Sequence, residues 1–177
     1  MVDGIGRADE NDVGEMEALY DELNDFLAAS VNYPGWRKGL YPTRDTAAKG
    51  IAQRSLFVLR KQGLIEGSII LDHQPEAAYS QVRWGVDCGY DEIFVVRTLA
   101  VRPSRMRRGV SGKLMDFARE HAVQNGMRAL RLDVSVDNTP AIALYERQGY
   151  RYRGTVDLGL NIPWLVWFRL YELPLRS

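Results

Sequence analysis

Three arginines, a lysine and two glycines fall within nine residues of this chain: Arg105, Arg107, Arg108, Gly109, Gly112 and Lys113. The ten residues before them, Glu92 to Val101, are rich in β-branched and aromatic side chains, which suits a buried strand, and Pro103-Ser104 ends it. After them Val110, Leu114, Phe117, Ala118, His121 and Ala122 recur at helical spacing until Asn125-Gly126. A strand, a small-residue loop and a helix start leave the first backbone N–H groups of the helix without partners, at the positive end of its dipole. Arg107 to Lys113 is therefore read as a cradle for a pyrophosphate. The spacing is neither GxxxxGK[ST] nor GxGxxG, and strand, glycine turn and helix occur in any α/β chain, so a purely structural loop stays open beside that reading.

Other residues that could do chemistry are scattered. The single cysteine, Cys88, cannot form an intramolecular disulfide, and its polar segment GVDCGYDE reads as incidental rather than nucleophilic. His73, at a strand end, reads as solvated rather than as a base. Glu92, at the entry to its strand, has the carboxylate a proton acceptor needs, and Arg97 on the same strand could orient an acidic substrate. The loop VNYPGWRKGLYPTRDT carries Tyr33, Trp36 and Tyr41 beside Arg37 and Lys38. Exposed aromatics are costly, so these either cover a core edge or line a substrate pocket.

The elements that must position these groups follow from periodicity. Ile5 to Ala8 reads as a short strand, and Asp9 or Asn11 can cap a helix over Asp12 to Ala29 with a stripe of Val13, Met16, Leu19, Tyr20, Leu23, Phe26 and Leu27. Thr43 or Asp45 starts a second helix to about Arg54, and Ser55 to Arg60 with Leu64 to Asp72 makes a hairpin. His73 to Gly89 is a long connection with one helical turn near Glu76 to Tyr79. Arg128 to Val136 alternates as a strand, and the right-handed crossover rule makes it parallel to the strand ending at Val101. Asp137-Asn138-Thr139-Pro140 starts a short helix ended by Gly149, and Tyr150 to Leu158 and Trp164 to Leu173 are two last strands.

Length and composition bound the function. At 177 residues the chain suits one domain, with 46% hydrophobic and 26% charged residues as in an ordinary soluble protein. Lys+Arg and Asp+Glu are both 23, so no bulk charge draws it to nucleic acid or an acidic membrane. The polar N-terminus is unlike a signal peptide and no apolar run approaches the roughly 20 residues of a membrane span, so a cytoplasmic location is expected. Trp164, Trp167 and Phe168 near the start of the last strand cover either the core or a homodimer face.

Two segments together resemble the GNAT acetyltransferase superfamily. LAVRPSRMRRGVSGKLM, Leu99 to Met115, resembles its strand, loop and helix that hold coenzyme A; VDNTPAIALYERQGY, Val136 to Tyr150, resembles its N-x-x-A-x-x-L-Y-x-x-x-G-[FY] segment. They come in the family's order and spacing. Against its [QR]-x-x-G-x-[GA] loop, Met106 replaces Gln or Arg and Ser111 replaces Gly or Ala. The resemblance implies one α/β domain over residues 1–177, a central twisted mixed sheet with splayed parallel strands 4 and 5, flanked by about four helices. It implies acetyl-CoA as co-substrate, no metal, and transfer to a primary amine of a small-molecule or amino-acid-like acceptor. Leu99, Ala100 and Val101 would pair with the pantetheine arm as an extra strand would. Met106, through its amide, with Arg107, Arg108, Gly109, Val110, Ser111, Gly112 and Lys113 would hold the pyrophosphate. Asn138 would bind the arm or cap its helix, Tyr145 would be the proton donor to the departing thiolate, and Glu92 the acceptor of the amine's proton. Tyr33, Trp36 and Arg97 would contact the acceptor. A protein N-terminus or lysine as acceptor, and a non-catalytic acyl-CoA sensor, remain the alternatives.

Overall fold

Among the residues described by the computed structural model, 3–175, the chain runs β1 (Gly4–Arg7), α1 (Val13–Ala28), α2 (Arg44–Ala52), β2 (Leu56–Lys61), β3 (Leu64–Asp72), β4 (Ile93–Val101), α3 (Val110–Gln124), β5 (Ala129–Ser135), α4 (Thr139–Arg147), β6 (Arg151–Asp157) and β7 (Trp167–Pro174). The strand order is β1-β2-β3-β4-β5-β7-β6, with β4 parallel to β5 and antiparallel pairing of β1 with β2, β2 with β3, β5 with β7, and β6 with β7. This is the mixed α/β sheet that the resemblance implied. By packing the chain forms two units: one takes residues up to Asn32, Trp36–Leu71 and Arg97–Phe117, the other Tyr33–Gly35, Asp72–Val96 and residues from Ala118 onward.

The first unit is built on the stripe of α1. Met16, Leu19, Tyr20, Leu23 and Leu27 bury against Leu56, Val58, Ile65 and Ile70 of the sheet, with Ala47 of α2 and Ala100 of β4. Phe26, expected in that stripe, lies at its margin and is 43% exposed. Asp9 caps a 3-10 turn over Glu10–Asp12 by accepting from Asn11 N–H at 2.8 Å, so α1 starts one turn after its cap. Gly67 of β3 has a tertiary reason. A Cβ there would stand 2.9 Å from the Ala100 carbonyl oxygen and 2.8 Å from Val110 Cγ1, so only glycine lets β3 meet β4 and the start of α3 this closely.

In the second unit the parallel register runs from Ile93↔Ala129 to Val96↔Leu132. Ala78, Tyr79, Ile93, Val95, Ala129, Val156, Leu165, Phe168 and Leu170 form its core. The connection after β3 holds a 3-10 turn, Ala77–Gln81, tied down by the Tyr79–Trp84 ring pair at 5.4 Å and by Trp84 Nε1 donating to Tyr79 O at 3.0 Å. The last strand starts at Trp167 rather than Trp164, because the backbone turns at Ile162–Leu165 and Trp164 Nε1 donates to Gly35 O at 3.0 Å.

Candidate active site

The loop after β4 is fixed at its entry and open at its tip. Buried Arg102 donates from Nε to Ile65 O at 2.9 Å and from Nη1 to Glu22 at 2.6 Å. Arg105 Nε lies 3.3 Å from Glu66, and Met106 donates its N–H to Pro103 O at 3.2 Å while its side chain packs on the first unit's core. The Met106 amide is thus accepted by a carbonyl of the preceding turn, and Arg105 faces Glu66 of β3. Beyond Met106 the picture reverses. In ordinary hydrogen-bond geometry no carbonyl among the described residues accepts from the N–H groups of Arg107, Arg108, Gly109, Val110, Ser111 or Gly112, which make at most weak turn contacts; the first amide of the series to be firmly accepted is Lys113 N–H, by Gly109 O at 3.1 Å. Arg107 (φ 61) and Gly109 (φ 77) stand in the left-handed region, the alternation that turns successive amides toward one concavity. Gly109 has nothing within 4 Å of a notional Cβ, and Arg107, Arg108 and Lys113 are exposed without an ion pair among the described residues. The stretch can hold a diphosphate.

β4 itself carries a local distortion that the sequence did not announce. Buried Thr98 has φ 52, a conformation costing a β-branched residue about 1–3 kcal/mol, and its hydroxyl is hydrogen-bonded to that of Tyr41. Tyr41 is held in turn by Asn24, whose Nδ2 donates to Tyr41 O at 3.2 Å, and by Trp36, edge-on at 5.6 Å. Trp36 is half-buried and packs against the core of the first unit. Arg97 is half-buried beside Thr98, Leu99 is half-buried, Ala100 and Val101 are buried, and Tyr33 is 39% exposed.

In the second unit, α4 presents Tyr145. Its ring packs on Tyr150 at 5.9 Å, and the residue is buried. Its hydroxyl makes no hydrogen bond among the described residues, yet unlike the Tyr150 hydroxyl it is not sealed from solvent. Burial, with the Asp133 charge adding to it, pushes that hydroxyl well above its ordinary value, so it keeps its proton at neutral pH. Asn138 is the N-cap of α4 and accepts from Ala141 N–H at 3.4 Å, the capping member of the two roles expected of it. Glu92 ends a 3-10 turn before β4. It accepts from Gly89 N–H at 3.3 Å and lies 3.7 Å from Arg128 Nη1, so its carboxylate is engaged in shaping the strand entry.

One cluster of the second unit was missed in the sequence. Arg131, opposite Glu172 in the β5–β7 register, is almost wholly buried. It donates from Nε to Glu172 at 3.1 Å and from Nη2 to Val86 O at 2.7 Å, with Trp84 4.4 Å and Tyr90 5.2 Å from its guanidinium. Arg153 reaches the other Glu172 oxygen at 3.0 Å. The strand's alternation exposed only its apolar face to sequence reasoning; the cross-strand Glu172 was the available signal.

The acetyltransferase (GNAT) family model matches residues 16–150. A stretch of 72 residues is 36% identical to the uncharacterized N-acetyltransferase YhfO of Bacillus subtilis, covering 40% of this chain and 48% of that protein. Another of 85 residues is 33% identical to mycothiol acetyltransferase of Clavibacter sepedonicus, covering 48% of this chain and 27% of that one. The chain thus aligns with about half and about a quarter of these relatives' lengths. A GNAT acetyltransferase from Streptococcus agalactiae superposes with a TM-score of 0.76 at 17% identity, over 98% of this chain and 95% of that one. The yncA protein of Salmonella typhimurium, solved with its cofactor acetyl-CoA, gives 0.72 at 15% identity over 100% and 96%. At such identities the likeness is one of fold; the family match, which takes in α1 through α4, the open amide loop and Tyr145, carries more. The chain belongs to the GNAT acetyltransferase family.

Proposed function

We propose that this protein is an N-acetyltransferase that moves the acetyl group of acetyl-CoA to a primary amine of a small-molecule or amino-acid-like acceptor by direct attack. The observation that carries the reading is the unbroken series of unaccepted N–H groups from Arg107 to Gly112, at the start of α3 and beside exposed Arg107, Arg108 and Lys113. Backbone donors with cations beside them are what a diphosphate needs. Acetyl-CoA supplies an acetyl thioester. In this reading Leu99 to Val101 hold the pantetheine arm through their backbone, and Arg97, Tyr33 and Trp36 border the acceptor. As the new C–N bond forms and the C–S bond breaks, Tyr145 gives its proton to sulfur, and the growing negative charge on the thiolate is what draws that proton from a phenol that burial makes a weaker acid. The amine must arrive uncharged and lose one proton in forming the amide. In this reading Glu92, which also accepts from Gly89 N–H and lies 3.7 Å from Arg128, takes that proton directly or through water, and solvent returns a proton to Tyr145.

Following free thiol released from acetyl-CoA across a panel of primary amines tests the proposal. The expected result is amine-dependent release that falls about a hundredfold in kcat in Tyr145→Phe, with acetyl-CoA affinity within about twofold of the wild type. Acetyl-CoA binding without release for any amine would make the protein a sensor module instead.

A further inference from the structure

The second unit contains a cavity of about 870 Å³, beneath the segment from Pro75 to Tyr90 and floored by Arg131 and Arg153. Its size is within the roughly 300–1,000 Å³ of small-molecule pockets. Its walls are aromatic and aliphatic, with Tyr79, Trp84 and Tyr90 the largest contributors. Its floor is charged. Glu172, fully buried, is satisfied by Arg131, by Arg153 and by the N–H groups of Gly85 (2.8 Å) and Val86 (3.3 Å). Two buried or half-buried guanidinium groups thus share one carboxylate, which leaves a positive charge on the floor unmatched. Of the remaining charged groups that line the cavity, Arg83 and Asp87 are exposed, where water screens them, and Glu76 is half-buried at its rim, as the N-cap of the 3-10 turn.

Donors are also left over. Arg131 is 2% exposed, its Nε and Nη2 are used, and its Nη1 has no acceptor among the described residues; Arg153 Nε is buried and likewise lacks one. Gly85 makes the close approach possible: a Cβ there would stand 2.0 Å from Arg153 Nη2. A pair of planar cations, Arg131 with a spare Nη1 beside the half-buried Arg153, next to the aromatic wall of a cavity, matches a carboxylate in geometry and charge. The cavity also connects to the chemistry of its own unit. Tyr79, on its wall, donates to Asp133 at 2.7 Å, and Asp133, two residues past Arg131 on the same face of β5, is the charge that acts on Tyr145.

We propose that this cavity holds the carboxylate of the acceptor, so that the substrate is an amine that also bears a carboxylate and an apolar or aromatic body; this rests on the acetyl-transfer reading above. Two measurements on the full chain test it. In the first, thiol release is compared for L-phenylalanine, other amino acids and their carboxylate-free counterparts such as phenethylamine. Carboxylated amines should be preferred at least tenfold in kcat/KM, and Arg153→Gln and Gly85→Ala should each raise their KM at least tenfold with a smaller change in kcat. In the second, calorimetry without acetyl-CoA compares the same amino acids with their amides, where the carboxylates should bind at least tenfold tighter and lose that margin in both variants. Release with carboxylate-free amines at equal or better kcat/KM overturns the inference and leaves acetyl transfer standing. Absence of release from every amine overturns acetyl transfer, and the calorimetric arm then decides the cavity: no preference for carboxylate over amide, or a preference unchanged in both variants, overturns that too.

Discussion

Tyr145 and Arg131 show what one residue can and cannot disclose. Tyr145 was legible, because the N-x-x-A-x-x-L-Y pattern fixes its place on a short helix whose cap, Asn138, is written beside it. Its protonation was not, since that depends on burial and on Asp133, twelve residues earlier on another element. Tyr145→Phe keeps the ring and removes only the hydroxyl, so the lost turnover reports the part that group plays. Arg131 was overlooked because a charged residue in an alternating strand reads as facing water; its partner Glu172 is 41 residues away in sequence. Glu172→Gln would leave two guanidinium groups with no anion between them. Breaking a buried ion pair in this way should cost about 3–5 kcal/mol, measured by urea unfolding, and a loss below about 1 kcal/mol would show that the pair is dispensable. Met106 and Glu92 make the opposite point. Met106 was expected to act through its amide and Glu92 through its carboxylate, and the neighbours these groups also meet, Pro103 O, Gly89 N–H and Arg128, are invisible until the backbone is traced.

At the scale of elements, caps and stops were the most readable features. Asp9, Thr43 and Asn138 stand where their side chains or backbone begin a helix, and Gly126 and Gly149 end one with positive φ. The segment between β3 and β4 was least readable: it has little periodicity of its own and takes its shape from Tyr79, Trp84 and the N–H bonds to Glu172. Equally hidden was the left-handed Thr98 inside β4, a break in a run of residues that otherwise favours an extended strand. The placement of α3 depends on Gly67, and this gives a prediction. Gly67→Ala should lower stability by about 1–3 kcal/mol, because the added methyl meets the rigid Ala100 carbonyl as well as Val110 and Leu114. It should also weaken acetyl-CoA binding, since Val110 opens the helix whose first amides form the cradle. Wild-type stability together with wild-type affinity would mean that β3 and α3 separate freely.

For the whole molecule, the balanced charge and the absence of acid or base runs leave stability over pH to buried groups. Tyr20, Tyr145 and Tyr150 are all held by burial well above the ordinary tyrosine value of 10.0. Because the folded state raises these values, each group's contribution is fully present below pH 10 and is lost as pH rises above it, when the unfolded chain can ionise and the folded one resists. Urea midpoints should therefore change little on account of these tyrosines from neutrality to about pH 9, then fall steeply above about 10. A midpoint rising through that range would contradict their burial.

The central claim is that the free amides beyond Met106 grip the diphosphate of acetyl-CoA. Gly109→Asp tests it most directly, because the side chain enters open space, aspartate tolerates the left-handed backbone better than most residues, and its charge lies where the anion should sit. Calorimetric titration with acetyl-CoA should show saturable binding to the wild type and at least a hundredfold weaker binding to the variant, with the circular dichroism of the two alike. Equal affinity in the two proteins would contradict the account.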